Sequence, residues 1–220
     1  MRVGWEPWEP YMYLTPGNEV SGLDIELIEA IAQEAGCILS YTQANWASLL
    51  VMVQNGEVDI LPGASMSKSR EAYALFSSSY REEHFAFYVN AEDFDAFPTT
   101  IKEIVKNDKK VGITSGYMYG DEMTDLQDSS DHENNFVETE VGEANMYNLL
   151  QRSIDVFVED PFVAIYNLKR KGLGDQIKQL PIDIHTGDVH LMFSKKTVNQ
   201  ATVDRFNKAL KKFRTTRSTA

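Results

Sequence analysis

Val58-Asp-Ile-Leu-Pro-Gly63-Ala-Ser65-Met-Ser-Lys-Ser-Arg70 is the stretch on which the fold turns. Residues 58–61 form a short apolar run, of the length of a buried strand and too short for a core helix. Glycine then breaks the run, and Ser67 reads as the N-cap of a helical turn. A strand that hands over to a helix in this way presents its carboxyl end, which is where open α/β sheets take their ligands. Gly63 lets a ligand approach the backbone. Ser65 offers a hydroxyl donor and acceptor. Arg70, about one turn into the helix, can reach back with a planar fork that matches a carboxylate bidentately.

Outward from this point, strand and helix patterns alternate, which predicts an α/β architecture. Residues 2–4 read as a strand. Residues 23–35 read as a helix in which Leu27, Ile28, Ile31 and Ala32 share one face while Glu26, Glu29 and Gln33 point out. Gly36 stops it. Residues 37–41 read as a strand, 46–54 as a helix ended by Asn55-Gly56, and 85–89 as a strongly apolar strand. The polar stretch 90–100 reads as the passage out of a first lobe. A second α/β unit follows: helix 101–106, strand 110–114, then Ser115-Gly116 running into a helix through about Asp125. A polar loop at 128–135, strand 136–139, helix 144–151, strand 156–158 and helix 161–169 complete it. A late strand at 189–193 and an amphipathic helix at 197–213 remain for the first lobe. Two strand-like crossings, at 85–89 and 181–190, suggest a hinge and a ligand cleft. The lobes are then 1–87 with 189–220, and 88–188.

Composition narrows the function. Thirty-three acidic against 21 basic residues give a net charge of -12, which argues against nucleic acid, whose phosphates need a basic face. An anionic membrane surface is disfavoured for the same reason. No apolar run approaches the roughly 20 residues that span a bilayer. Residues 1–13 lack the order of a signal peptide. The single cysteine, Cys37, excludes an internal disulfide and sits among apolar neighbours, as a small buried hydrophobe does. His84, His132, His185 and His190 show no metal-like spacing with carboxylates. Gly112-Ile-Thr-Ser-Gly116 lacks the lysine and spacing of a phosphate loop, and no Gly-x-Ser-x-Gly is present. No enzyme and no cofactor is indicated.

Gly22-Leu-Asp-Ile-Glu-Leu-Ile-Glu-Ala-Ile-Ala32, Gly56-Glu-Val-Asp-Ile60, Ser65-Met-Ser-Lys-Ser-Arg70 and Phe76-Ser-Ser-Ser-Tyr80 follow one another in a telling order and spacing. Together they resemble the polar amino-acid family of bacterial periplasmic solute-binding proteins, over nearly the whole chain from about Arg2 to Phe213. The resemblance implies a two-lobe, type II periplasmic-binding (Venus-flytrap) fold. Each lobe would be a central sheet flanked by helices, joined to the other by two hinge strands. It implies a periplasmic monomer that captures an amino acid or related small carboxylate, without chemistry, and delivers it to the permease of an ABC importer. By position, Arg70 would clamp the α-carboxylate, with Ser65 helping through its hydroxyl and Gly63 through its backbone. Trp46 would pack on the ligand side chain, Asp160 would take the ammonium, and Glu6 falls where the family often has another acid.

Departures from the family pattern bear on the ligand. Ser115-Gly-Tyr-Met-Tyr119 lacks the hydroxyl usually found at that helix start. Trp5, Trp8, Trp46 and Tyr117 point to a larger, aromatic or partly apolar solute. The tail after the last helix, Arg217-Ser-Thr-Ala220, is shorter than the family's usual terminus. Plainer roles stand beside these. Arg70 could form a surface ion pair with Glu71 or Glu83, and Asp160 could be the N-cap before Pro161. Glu159 competes with it for the ligand, and Trp5, Trp8 and Trp46 could be core. The same fold also serves as the sensing domain of some membrane histidine kinases. A few relatives are cyclohexadienyl dehydratases, which would need a cleft acid such as Glu159 or Glu6.

Overall fold

Val3 and Ile60, the apolar centres of two of the expected strands, are partners in a parallel pair. The structure is a computed structural model that describes residues 1–217, so the end of the tail noted above lies outside the described residues. Along the chain, β1 (Arg2–Trp5) is followed by a small hairpin, β2 (Tyr13–Leu14) and β3 (Val20–Ser21), then α1 (Leu23–Glu34), β4 (Ser40–Gln43), α2 (Trp46–Asn55), β5 (Ile60–Ser65), α3 (Lys68–Glu71) and β6 (Ala74–Phe76). The sequence signals work as read at several ends. Gly56, with φ 79°, ends α2, while the Asn45 side chain, which the sequence reading did not single out, accepts from the Ser48 N–H to start it. Ser67 accepts from the Arg70 N–H and caps α3.

The chain continues through β7 (Arg81–Asn90), α4 (Ile101–Lys106), β8 (Val111–Thr114), α5 (Asp121–Gln127), β9 (Phe136–Thr139), α6 (Ala144–Leu150), β10 (Val156–Glu159), α7 (Pro161–Lys171) and β11 (Ile177–Ser194), and closes with α8 (Gln200–Arg217). It divides into two units: Met1–Glu82 with Gly187–Ala220, and Glu83–Thr186. The chain therefore passes between units within β7 and again within β11.

In unit 1 the sheet runs β4-β1-β5-β11, with β6 also on β11. β4, β1 and β5 are parallel, and β11 is antiparallel to β5, with a register shift between His190 and Met192. α1 and α8 cover one face through Ile28, Ile31, Val203, Phe206 and Leu210, all buried against Val3, Ile60 and Phe193. In unit 2 the order is β7-β10-β8-β9. The strands β10, β8 and β9 are parallel, and β7 is antiparallel to β10. One face packs Ile104, Met123, Val156 and Val158. The other packs Met146, Leu149, Phe157 and Ala164.

Several elements differ from the sequence reading: β5 runs through Gly63 to Ser65 instead of stopping at residue 61, β7 is longer than 85–89 at its start, and α8 begins at Gln200 and not at 197. The strand expected at 37–41 lies at Ser40–Gln43, because pairing with β1 sets its register from Ser40 opposite Arg2 to Gln43 opposite Trp5. The helix expected to follow Ser115-Gly116 directly starts only at Asp121. Gly116 and Gly120 both have positive φ, which a continuing helix cannot accommodate, and Tyr119 between them is buried with its hydroxyl accepting the Thr114 N–H at 2.8 Å. The late strand is not confined to 189–193 but begins at Ile177 and runs for 18 residues through Pro181.

Candidate functional site

The residues nominated from sequence in unit 1 gather at the carboxyl end of β5 and the elements beside it. Arg70 is not a surface residue: it is 6% exposed. Its Nη1 donates to the Ser65 carbonyl at 2.9 Å, so the start of α3 is folded back onto the end of β5. Its guanidinium lies over the Trp46 ring, 5.8 Å from the centroid. Trp46 stands at the first position of α2, where its buried N–H donates to Glu6 Oε2 at 3.0 Å. Glu6, 5% exposed, thus anchors the start of α2. Ser65 is half-buried at the last position of β5.

Gly63 has φ 75°, in the left-handed region. Its N–H donates to the Tyr80 hydroxyl at 2.7 Å. That hydroxyl donates to Asp24 Oδ2 at 2.8 Å. Burial first, and then the Asp24 charge, push the Tyr80 phenol well above its usual range, so it keeps its proton. Arg81 meets the same carboxylate, with Nε 3.4 Å from Oδ1 and Nη2 3.4 Å from Oδ2. Its guanidinium lies 4.3 Å from the Tyr11 ring centroid and 5.4 Å from that of Trp8. Trp8 and Tyr11 stack at 4.7 Å. Trp5 is 2% exposed and belongs to the core of its unit.

Tyr11, Asp24, Tyr80 and Arg81 were not nominated from sequence. Asp24 and Tyr80 stand inside the quoted motifs, which was a signal, but their separation of 56 positions along the chain hides the bond. Arg81 carries no motif, and only its place directly after Tyr80 could have pointed to it.

In unit 2, Asp160 is 1% exposed and caps α7: its Oδ1 accepts from the Phe162 N–H at 2.8 Å and the Val163 N–H at 3.2 Å. Pro161 follows at the first helical position, as expected for a residue whose N–H would be an orphan. Glu159, 3% exposed, accepts the Asp160 N–H at 3.0 Å through Oε1. A side chain at residue 142 would place its Cβ 2.7 Å from Glu159 Oε2 and 3.0 Å from Thr114 Oγ1, so the glycine there makes room for the acid. Tyr117 packs beside Phe85 and Tyr119, on the core of its own unit.

Chemically, unit 1 offers a buried guanidinium on an aromatic ring beside a hydroxyl, which suits a carboxylate. Unit 2 offers two adjacent buried acids, which suit a cationic group. Among the described residues, no three or more His, Cys, Asp and Glu side chains are placed to hold a metal ion, and no helix is long and apolar enough to cross a membrane.

The family model for bacterial extracellular solute-binding proteins, family 3, matches residues 1–220. Solved structures share the fold. An ancestral arginine-binding protein bound to arginine superimposes with a TM-score of 0.81 at 20% identity, covering 97% of this chain and 92% of that one. An amino acid ABC transporter substrate-binding protein from Streptococcus pneumoniae, AbpA, bound to L-arginine, gives 0.81 at 22%, with 98% and 89% covered. A histidine kinase sensor domain with similarity to periplasmic binding proteins gives 0.81 at 17%, with 99% and 90% covered. The fold of this chain is the periplasmic binding protein-like II fold.

Proposed function

The chain belongs to the bacterial extracellular solute-binding proteins of family 3, and from that premise we propose that it captures an amino acid outside the cytoplasm for an ABC importer. The observation that carries this reading is Arg70. It is a buried guanidinium, aligned by the Ser65 carbonyl and backed by the Trp46 ring. A buried charge held this way suits an anionic partner, and a carboxylate matches its fork.

In this reading Arg70 and the Ser65 hydroxyl take the α-carboxylate, and Trp46 meets the side chain. Asp160 takes the ammonium while continuing to cap α7, with Glu159 beside it. Trp8 and Tyr117 shape the solute's apolar contacts, and Glu6 acts by holding Trp46 in place. Gly63 is proposed in a supporting place, since its N–H goes to Tyr80. The protein binds without reacting. The liganded relatives support arginine or glutamine as the first solutes to try. The likeness to a kinase sensor domain supports a second reading, in which the same binding event feeds a membrane signalling protein.

Thermal unfolding with each common amino acid, and with carboxylates lacking the amine, tests the binding reading. A solute present at a hundredfold its Kd adds about 2.7 kcal/mol of stability, which a melting curve resolves. A rise for arginine, glutamine or another amino acid is expected. No rise for any amino acid overturns it.

A further inference from the structure

We propose that Tyr80 is a positioning residue of the solute site, holding Gly63 and with it the Gly63–Ser65 end of β5, and that Asp24 and Arg81 hold Tyr80. This rests on the reading that Arg70 and Ser65 receive the solute's carboxylate.

The polarity of the relay is fixed. Asp24 is a carboxylate facing the Arg81 guanidinium, so it can only accept. The one proton of Tyr80 goes to Asp24 Oδ2 at 2.8 Å. Its oxygen is therefore the acceptor that meets the Gly63 N–H at 2.7 Å. The partners are well constrained. Asp24 is 3% exposed, at the first turn of α1, and Arg81 is clamped against the faces of Tyr11 and Trp8.

Three buried or half-buried side chains, Arg81, Asp24 and Tyr80, thus act in series on one backbone N–H, which Tyr80 alone touches. That N–H lies two residues before Ser65, whose carbonyl receives Arg70. Gly63 needs the hold, because its left-handed φ of 75° is a conformation the chain could leave. A Cβ on it would make only ordinary contacts, with Arg81 Nη2 at 3.5 Å and Asp24 Oδ2 at 3.6 Å, so it is the backbone conformation and not lack of space that calls for glycine. If Gly63 moves, the Ser65 carbonyl moves, and the guanidinium it aligns moves with it. Displacing a recognition group by a fraction of an ångström is enough to weaken a directional contact.

The test compares the intact chain with Tyr80→Phe, which removes only the hydroxyl. The probes are the amino acid found to bind in the thermal survey and the same compound with its amine replaced by hydrogen. By calorimetry, Tyr80→Phe raises Kd about tenfold for both probes by the same factor, since both share the carboxylate. Amide exchange by NMR shows a protected Gly63 N–H that becomes fast in the variant. Arg81→Gln moves both readouts in the same direction by less. If Tyr80→Phe does not fold, Asp24→Asn, which leaves Tyr80 in place, is read in the same way.

A merely structural role would lower the melting temperature and leave Kd unchanged. Wild-type affinity in Tyr80→Phe, or a loss confined to one probe, overturns the proposal. If Arg70→Ala then still abolishes binding, the solute-site reading stands without it. If the wild-type chain binds no amino acid, that reading fails and this proposal falls with it.

Discussion

The Arg70 guanidinium lies over the Trp46 ring at 5.8 Å while its Nη1 donates to the Ser65 carbonyl at 2.9 Å. A ring on one side and a carbonyl at one end leave the planar fork pre-aligned, so less rotamer entropy is lost when an anion arrives.

Removing the fork should therefore remove binding. Arg70→Ala is expected to weaken the solute by about 2–5 kcal/mol, the range for losing one partner of a buried charged pair. Arg70→Lys keeps the charge but not the two parallel donors and should fall between. Trp46→Leu should cost less, about 0.5–2 kcal/mol, the scale of a cation–π contact. Calorimetric Kd values for the three variants check the order, and wild-type affinity in Arg70→Ala would remove the clamp.

Asp160 has two roles that substitution can separate. Asparagine caps a helix as well as aspartate does, so Asp160→Asn should leave stability almost unchanged. Its charge is gone, so amino acids should weaken much more than carboxylates lacking the amine. Asp160→Ala should lose the same affinity and about 1 kcal/mol of stability as well. Denaturation and calorimetry on both variants decide it: equal losses for the two ligand classes would leave Asp160 as a cap only.

The residues that read most clearly from sequence are those whose partners are close along the chain. Ser67 caps a helix through the N–H three residues on, and Gly56 ends one where it stands. Such signals depend on local backbone sterics and donor counting, which a sequence carries directly. Arg70 and Ser65 could be nominated together because they are five residues apart, but the bond from the guanidinium to the Ser65 carbonyl was not part of that reading. The relay from Gly63 through Tyr80 to Asp24 was not legible, since it joins residues 17 and 56 positions apart along the chain. The delayed start of α5 was missed because Tyr119 serves the core of its unit, which periodicity alone does not show. The length of β11 was missed because Pro181 breaks the pattern of a strand without preventing one.

Acid should weaken unit 1 through a pair at the opposite end of β5 from Ser65. Burial works against the Asp59 carboxylate, but hydrogen bonds from Arg2 outweigh it and hold its pKa down at about 2. A depressed carboxylate stabilises the fold above its unfolded pKa and loses that contribution as pH falls through the folded value. The loss should thus develop between about pH 4 and pH 2. Its size is about 1–2 kcal/mol, discounted because solvent reaches Arg2. Urea unfolding of wild type and Asp59→Asn across that window checks it: their difference should shrink as pH drops.

Gly22 should tolerate no side chain. Its φ is 127°, and a Cβ there would lie 2.2 Å from the Tyr11 carbonyl oxygen. That carbonyl accepts the Asp24 N–H, and Pro10 accepts the Leu23 N–H, so the same backbone supplies caps to α1. Gly22→Ala should cost about 3 kcal/mol or more. A variant with an unchanged urea midpoint would contradict this packing.

The two passages of the chain, through β7 and β11, have a consequence for biosynthesis. Unit 2 is one uninterrupted stretch of polypeptide, and β7, β8, β9 and β10 of its sheet are all synthesised before residue 187. Unit 1 is begun first and finished last. Until Val189 to Ser194 emerges, β5 lacks its antiparallel neighbour and exposes an apolar edge to any other chain that can pair with it. The nascent protein is at its stickiest at the strand that ends in Ser65. A chaperone that shields this edge until Val189 to Ser194 pairs with it would protect the fold and the proposed site together.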